Sequence, residues 1–282
     1  MDNNSSFDRR TAELFSAAII AACMLVLIIS VDQLAREGRQ LPQVVQLDPI
    51  AVFPDFASIT RVDVKKQQFF DYLQDYIAAE NQRVINIRRE LELYHETVRS
   101  GVALSTRARE NILVLADLYR VPDDVRSDLK YIEELLIRID QIPVSLALAQ
   151  AANESAWGTS RFAMEGNNLF GECCYEEGCG LVPLRRISGA NHEVQSFDSL
   201  QLSVESYFLN LNSHPRYNFF RELRSYMRNQ GEGLNSVILA YGLSSYSERG
   251  DNYVDEVQTI IEQNNLRARD GSVALVGFNP LN

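Results

Sequence analysis

"LALAQAANESAWGTSRFAMEGNNLFGECC", residues 146–174, opens as a helix of small apolar residues and ends in a run of Asn, Gly and Phe, with a carboxylate, Glu154, at the junction. Pro143 suits the first turn of that helix, where its missing N–H leaves nothing unpaired. Ala147, Gln150, Ala151 and Glu154 follow spacings of three and four and so share one face. A helix of Ala, Leu and Val lies deep. Gly158 and the following "TSRF" end it near Glu154, which places this carboxylate at the edge of the core. A low-dielectric position disfavours the ionised form and raises the pKa, as a proton donor to a leaving oxygen requires near neutral pH. The competing reading is a helix-end acid paired with Arg161 or capping a turn. Trp157, the single tryptophan, and "NNLFG" at residues 167–171 favour the proton donor, because amides and aromatic rings fit the edges and faces of neutral hydroxylated ligands.

Beyond this stretch, the chain has 282 residues, 46% of them hydrophobic, enough for a sizeable core in one large domain or two small ones. Its 27 Lys and Arg against 38 Asp and Glu give a formal net charge of -11, which argues against nucleic acid as a partner. His95, His192 and His214 lack the spacing of a zinc-binding helix or finger, so no metal or other cofactor is expected. Residues 14–31, "LFSAAIIAACMLVLIISV", carry no charge and at about 1.5 Å rise per residue just cross a bilayer core. Arg9 and Arg10 place residues 1–13 in the cytoplasm and everything after the span outside. The run is long for a cleaved signal and ends without a small-x-small site, and it continues past Cys23 where a lipoprotein would turn polar, so an uncleaved anchor is expected.

Residues 32–57 contain three prolines and no sustained period and read as a tether, although their apolar "VVQLDPIAVF" can lie against the domain. Residues 58–138 read as helical. Apolar side chains recur at helical spacing over 62–98, as one long helix or two, and further helices are expected at 106–119 and, after "PDD", at 125–139. Charged residues such as Arg88, Arg89 and Glu90 are expected on solvated faces.

Four ordered segments then resemble one family. "AQAANESAWGTSRFA" is similar to the Q-A-x-x-E-S-x-W-G-x-S segment of the bacterial glucosaminidase domain of glycoside hydrolase family 73, and "GNNLFG" to its N-L-F-G segment. "FDSLQLSVESYFLNLNSHPRY" and "YGLSSYSERGDNYVDEVQTII" resemble its later helix and closing segments. The upstream helices resemble the Bax-type subgroup. The resemblance implies a mostly α, lysozyme-like α+β fold with a small β lobe over residues 139–268, followed by a tail at 269–282. It implies cleavage of the β-1,4 bond after N-acetylglucosamine in peptidoglycan, with Glu154 as general acid. Tyr246 is expected beside the acid, and Gln150, Trp157, Asn168, Phe170 and Tyr253 against the substrate.

The second catalytic group is open. The family places a Glu in the β lobe, and residues 174–197 offer Glu176, Glu177 and Glu193, of which Glu193 is favoured by its place before "QSFDS"; substrate assistance by the sugar's 2-acetamido group is a further route. Cys174 and Cys179 flank a short loop that a disulfide can close in an oxidising space, leaving Cys173 over. The expected setting is therefore the inner membrane, with a single-pass anchor, a periplasmic domain, glycan strands as partner and an unidentified envelope regulator. Residues 62–139 are one candidate for restraining the activity. A lytic transglycosylase or muramidase, and a non-catalytic wall-binding module, are the alternatives.

Overall fold

A computed structural model describes residues 53–122, 127–184 and 192–271. Val62–Arg99 forms one unbroken helix, α1, burying Phe69, Phe70, Leu73, Ile77, Val84, Ile87 and Leu91 along one side. Helix α2, Thr106–Leu118, is capped by Ser105, and α3, Asp128–Arg138, by Ser127, whose hydroxyl accepts from the Lys130 N–H. The start of α3 falls later than the 125 expected from "PDD", because the serine is the side chain that reaches the free N–H group. Helix α4, Val144–Glu154, is buried from Val144 to Ala152 and lies between α1 and the later helices.

A short α5, Arg161–Gly166, leads to a three-stranded antiparallel sheet: β1, Cys173–Cys174, β2, Gly180–Leu181, and β3, Glu193–Gln195, with β3 in the middle. Helices α6, Leu200–Ser213, α7, Asn218–Asn229, α8, Ser236–Leu239, and α9, Asp251–Gln263, complete the body. The described chain is thus mostly helical with a small sheet, an arrangement consistent with an α+β lysozyme-like fold.

Residues on both sides of position 139 share one hydrophobic core. Polar groups stitch the junction as well. Asn81 of α1 donates to the Ile142 carbonyl at 2.8 Å and accepts from its N–H at 3.0 Å, imitating one rung of a sheet just before α4 begins. The Arg224 guanidinium, fully buried, donates to the carbonyls of Arg138 and Asp140 and to Asn212. Asp140 accepts from Arg228 at 2.9 and 3.0 Å. Burial alone would raise the Asp140 pKa, but Arg228, Arg224 and Arg88 more than offset it and hold the carboxyl below its usual range. At the other end, Asp270 accepts from the N–H and hydroxyl of Ser145, and Arg269 donates to Gln74, so the expected tail contributes residues 269 and 270 to the fold. Part of the tether does the same, with Phe56 buried against Phe69.

No described helix is long and apolar enough to cross a membrane. The apolar run at 14–31 lies outside the described residues.

Candidate active site

Glu154 is the last residue of α4. Beyond Ser155 the chain reverses tightly through three left-handed residues, Ala156 (φ 51°), Trp157 (φ 61°) and Gly158 (φ 73°). The Trp157 N–H bonds to the Ala152 carbonyl, closing the helix end in a Schellman-type arrangement. Ser155, fully buried, donates to the Ala151 carbonyl at 2.6 Å and accepts from the Gly158 N–H at 2.8 Å. That is the local reason for serine after the glutamate. Gly158 is required twice over, by its φ and because a Cβ there would sit 2.6 Å from the Phe56 ring.

The Glu154 carboxyl is partly buried, and desolvation raises its pKa; Tyr253 and Arg249 pull it back down while Glu256 adds to the rise. Its position at a helix C-terminus also disfavours the charged form. One oxygen, Oε1, is buried without a hydrogen-bond partner, while Oε2 lies against Gly171, where a Cβ would approach to 3.1 Å. The Tyr253 hydroxyl is aimed by a relay. Tyr207 donates to the Gln150 side-chain oxygen at 2.7 Å, and the Gln150 amide donates to the Tyr253 oxygen at 2.9 Å. With its acceptor side occupied, the Tyr253 O–H is left to donate to Glu154.

Of the residues expected against the substrate, Gln150, Asn168 and Tyr253 are buried, and Phe170, buried as well, lies on the wall of a cavity. Gln150 and Tyr253 form the relay behind Glu154. The Asn168 amide donates to the carbonyls of Glu172 and Gln195 and its oxygen accepts from the Phe170 and Glu172 N–H groups, fixing the "NNLFG" loop to the sheet. Phe170 stacks on Tyr207 at 3.9 Å. Trp157 faces α1, packing on Phe69 and Phe70 with Lys66 over its ring at 4.5 Å. Amides and aromatics that suit a sugar also suit a bent loop, a relay or a helix contact: Asn168 serves the loop, Gln150 and Tyr253 the relay, and Trp157 the contact with α1.

Tyr246 does reach the open side. Its hydroxyl donates to the Phe170 carbonyl at 2.7 Å, its ring stacks on Tyr253, and it lines a cavity of about 540 Å³ between the sheet side and α6. Glu172, Tyr175, Ser206, Asn210, His214, Arg216, Tyr217 and Arg120 share that wall. Of the expected carboxylates, Glu193 is buried in the sheet and accepts from the N–H groups of Gly178 and Gly180, so its oxygens hold the hairpin rather than line the cavity. Glu176 and Glu177 are exposed in the loop that the Cys174–Cys179 disulfide closes, with Cα atoms 6.2 Å apart. Cys173 is free and exposed.

The carboxyl group on the cavity wall is Glu172. Burial pushes it up to about 7, with Ser206 and Asn210 acting in the opposite sense, and its Oε2 is buried without a hydrogen-bond partner. Sequence reasoning misses it because it directly follows "NNLFG". The available signal is a carboxylate adjoining a glycine whose φ of 69° brings the backbone against Glu154. Tyr175, 72% exposed on the same wall, escapes it as well.

A desolvated carboxyl group at a helix end, close to a small sheet and to an aromatic-lined cavity, is an arrangement compatible with the class of glycosidases. Residues 129–266 match the family described as mannosyl-glycoprotein endo-beta-N-acetylglucosaminidase, so the likeness to a glucosaminidase domain covers this segment. The chain is also similar to Protein bax of Escherichia coli (strain K12), with 28% identity over 211 residues, 75% of this chain and 74% of that protein. No solved structure matches the chain.

Proposed function

We propose that the protein is a peptidoglycan hydrolase that cleaves the β-1,4 bond following N-acetylglucosamine, with Glu154 as the proton donor. The carrying observation is the Glu154 carboxyl itself, raised in pKa by desolvation, with one buried oxygen that has no partner in the fold. As the bond from the anomeric carbon to the bridging oxygen breaks, the acid proton passes to that oxygen. The carboxylate left behind is then stabilised by the Tyr253 hydroxyl and by Arg249. Water supplies the hydroxyl to the anomeric carbon, and the proton it releases resets the acid. Glu172, on the cavity wall, is the second carboxyl group that a bound sugar meets.

The apolar run at 14–31 would anchor the chain in the inner membrane with the folded part in the periplasm; the Cys174–Cys179 disulfide supports an oxidising compartment. Protease accessibility of the domain in intact spheroplasts tests this.

Zymography on purified cell wall, followed by mass analysis of reducing ends, tests the reaction. Reducing N-acetylglucosamine is expected. Reducing N-acetylmuramic acid or its 1,6-anhydro form would reassign the chain as a muramidase or lytic transglycosylase. Unchanged wall digestion by Glu154→Gln would remove Glu154 from the chemistry, and no digestion by the unaltered protein would leave a wall-binding module.

A further inference from the structure

We propose that the cavity lined by Glu172 carries an anion subsite in which the exposed Arg120 and Arg216 hold a carboxylate carried by the muramic acid side of the glycan. This rests on the reading of the substrate as cell-wall glycan. Arg120 lies outside the matched segment 129–266, just past the end of α2, with φ 54°. It is exposed, as is Arg216, which follows Pro215 after α6. In a chain of net charge -11, neither is ion-paired among the described residues.

The cavity wall shows that these cations converge. His214, whose Nδ1 accepts from the Arg216 backbone N–H, is held below its ordinary pKa by burial and by Arg120, Arg216 and Arg221. Arg221 is a fixed charge, buried and bonded to the carbonyls of Leu211 and His214. Other groups on the same wall are different. There Glu172, with its unpartnered buried oxygen, sits beside Ser206 and Asn210, groups that suit a hydroxyl or acetamide. A cavity whose wall combines such polar groups with exposed cations fits a sugar ring that carries an anionic substituent. Two carboxylates have that chemistry: the lactyl group of a strand stripped of peptide, and the carboxylates of an attached stem peptide.

Binding is measured by calorimetry on the full chain bearing Glu154→Gln, with three ligands: an uncharged N-acetylglucosamine oligomer, a stripped glycan fragment and a peptide-bearing fragment. Arg120→Asn keeps a residue that tolerates the left-handed backbone, and Arg216→Gln keeps a polar side chain. Affinity for a carboxylate ligand, relative to the uncharged oligomer, is expected to fall about threefold for each variant and about tenfold for both together, the scale of exposed charge pairs. That preference should also weaken as salt is raised. The ligand that shows the loss identifies the source of the carboxylate. Equal losses on all three ligands, no loss, or an unaltered protein that binds carboxylate ligands no better than the oligomer would overturn the proposal. Failure of the glycosidase reading shows separately, as absence of cleavage by the protein with Glu154 intact.

Discussion

Replacing Glu172 by Gln removes a carboxyl group that the fold prefers to keep protonated. Its pKa rises from an ordinary 4.5 to about 7, so between those values the folded chain holds a proton that the unfolded chain has released. Stability contributed by that proton is fully present below pH 4.5 and is lost as pH rises through about 7. At 1.36 kcal/mol per unit the loss is about 3 kcal/mol, an upper limit because water reaches part of the residue. Glutamine resembles the protonated acid in shape and carries no proton to lose. The stability difference between Glu172→Gln and the unaltered protein should therefore grow in the variant's favour by up to about 3 kcal/mol from about pH 4.5 to about pH 8. For a domain of this size that is a rise in Tm of roughly 6–10 °C at the higher pH. Urea unfolding of both proteins at the two pH values measures it. Parallel pH dependence of the two curves would refute the reasoning, because no other group differs between them.

Gln150→Leu should free the Tyr253 hydroxyl from its aim at Glu154; since that hydrogen bond lowers the Glu154 pKa, the alkaline limb of the kcat profile is expected to move to higher pH, with a fall in kcat. An unmoved limb would show that the relay only packs. Gly171→Ala puts a methyl group 3.1 Å from Glu154 Oε2 at φ 69°, so wall digestion should fall by about a hundredfold, a positioning effect read in kcat rather than in folding. Asp140→Asn leaves Arg224 and Arg228 facing a neutral group and should cost about 3–5 kcal/mol in urea unfolding. Ala156→Gly relieves the left-handed backbone at φ 51° and should stabilise the fold by about 0.5–1 kcal/mol after the flexibility gained in the unfolded chain is counted; coincident urea midpoints would count against strain at this position.

The elements most legible in the sequence are those whose period is strong. The stripe from Phe69 to Leu91 specifies α1, and the small residues from Val144 to Ala152 specify a helix buried on every side. Glu154 at the end of α4 is legible for the same reason, since helix burial and a following glycine leave a side chain little freedom in where it emerges. The residues around it are not. Phe170, Asn168 and Gln150 have chemistry that serves a ligand or a loop equally well, and which of the two they serve depends on contacts from Tyr207, Gln195 and Tyr253, far away in sequence. Glu193 is attractive by position, but strand pairing with Cys174 turns it toward the hairpin backbone. The strands are only two or three residues long, too short for a period to announce their register.

The place of α1 bears on how the proposed hydrolase activity could be restrained. A detachable inhibitory segment would cover the open side of Glu154 and leave a finished domain behind when removed. Helix α1 instead packs on the turn that follows Glu154: Phe69 and Phe70 pack on Trp157 and Asn81 pairs with the backbone at the entrance to α4, while Phe56, upstream of α1, fills the space over Gly158. Those contacts hold three consecutive left-handed residues in place just after Glu154, a conformation that costs on the order of 1–3 kcal/mol at each non-glycine position and persists only under outside support. Removing residues 62–138 would therefore release the turn that positions Glu154, along with the Arg120 side of the cavity. Wall digestion should fall with the deletion, not rise, and a faster truncated protein would count against this role for the helix.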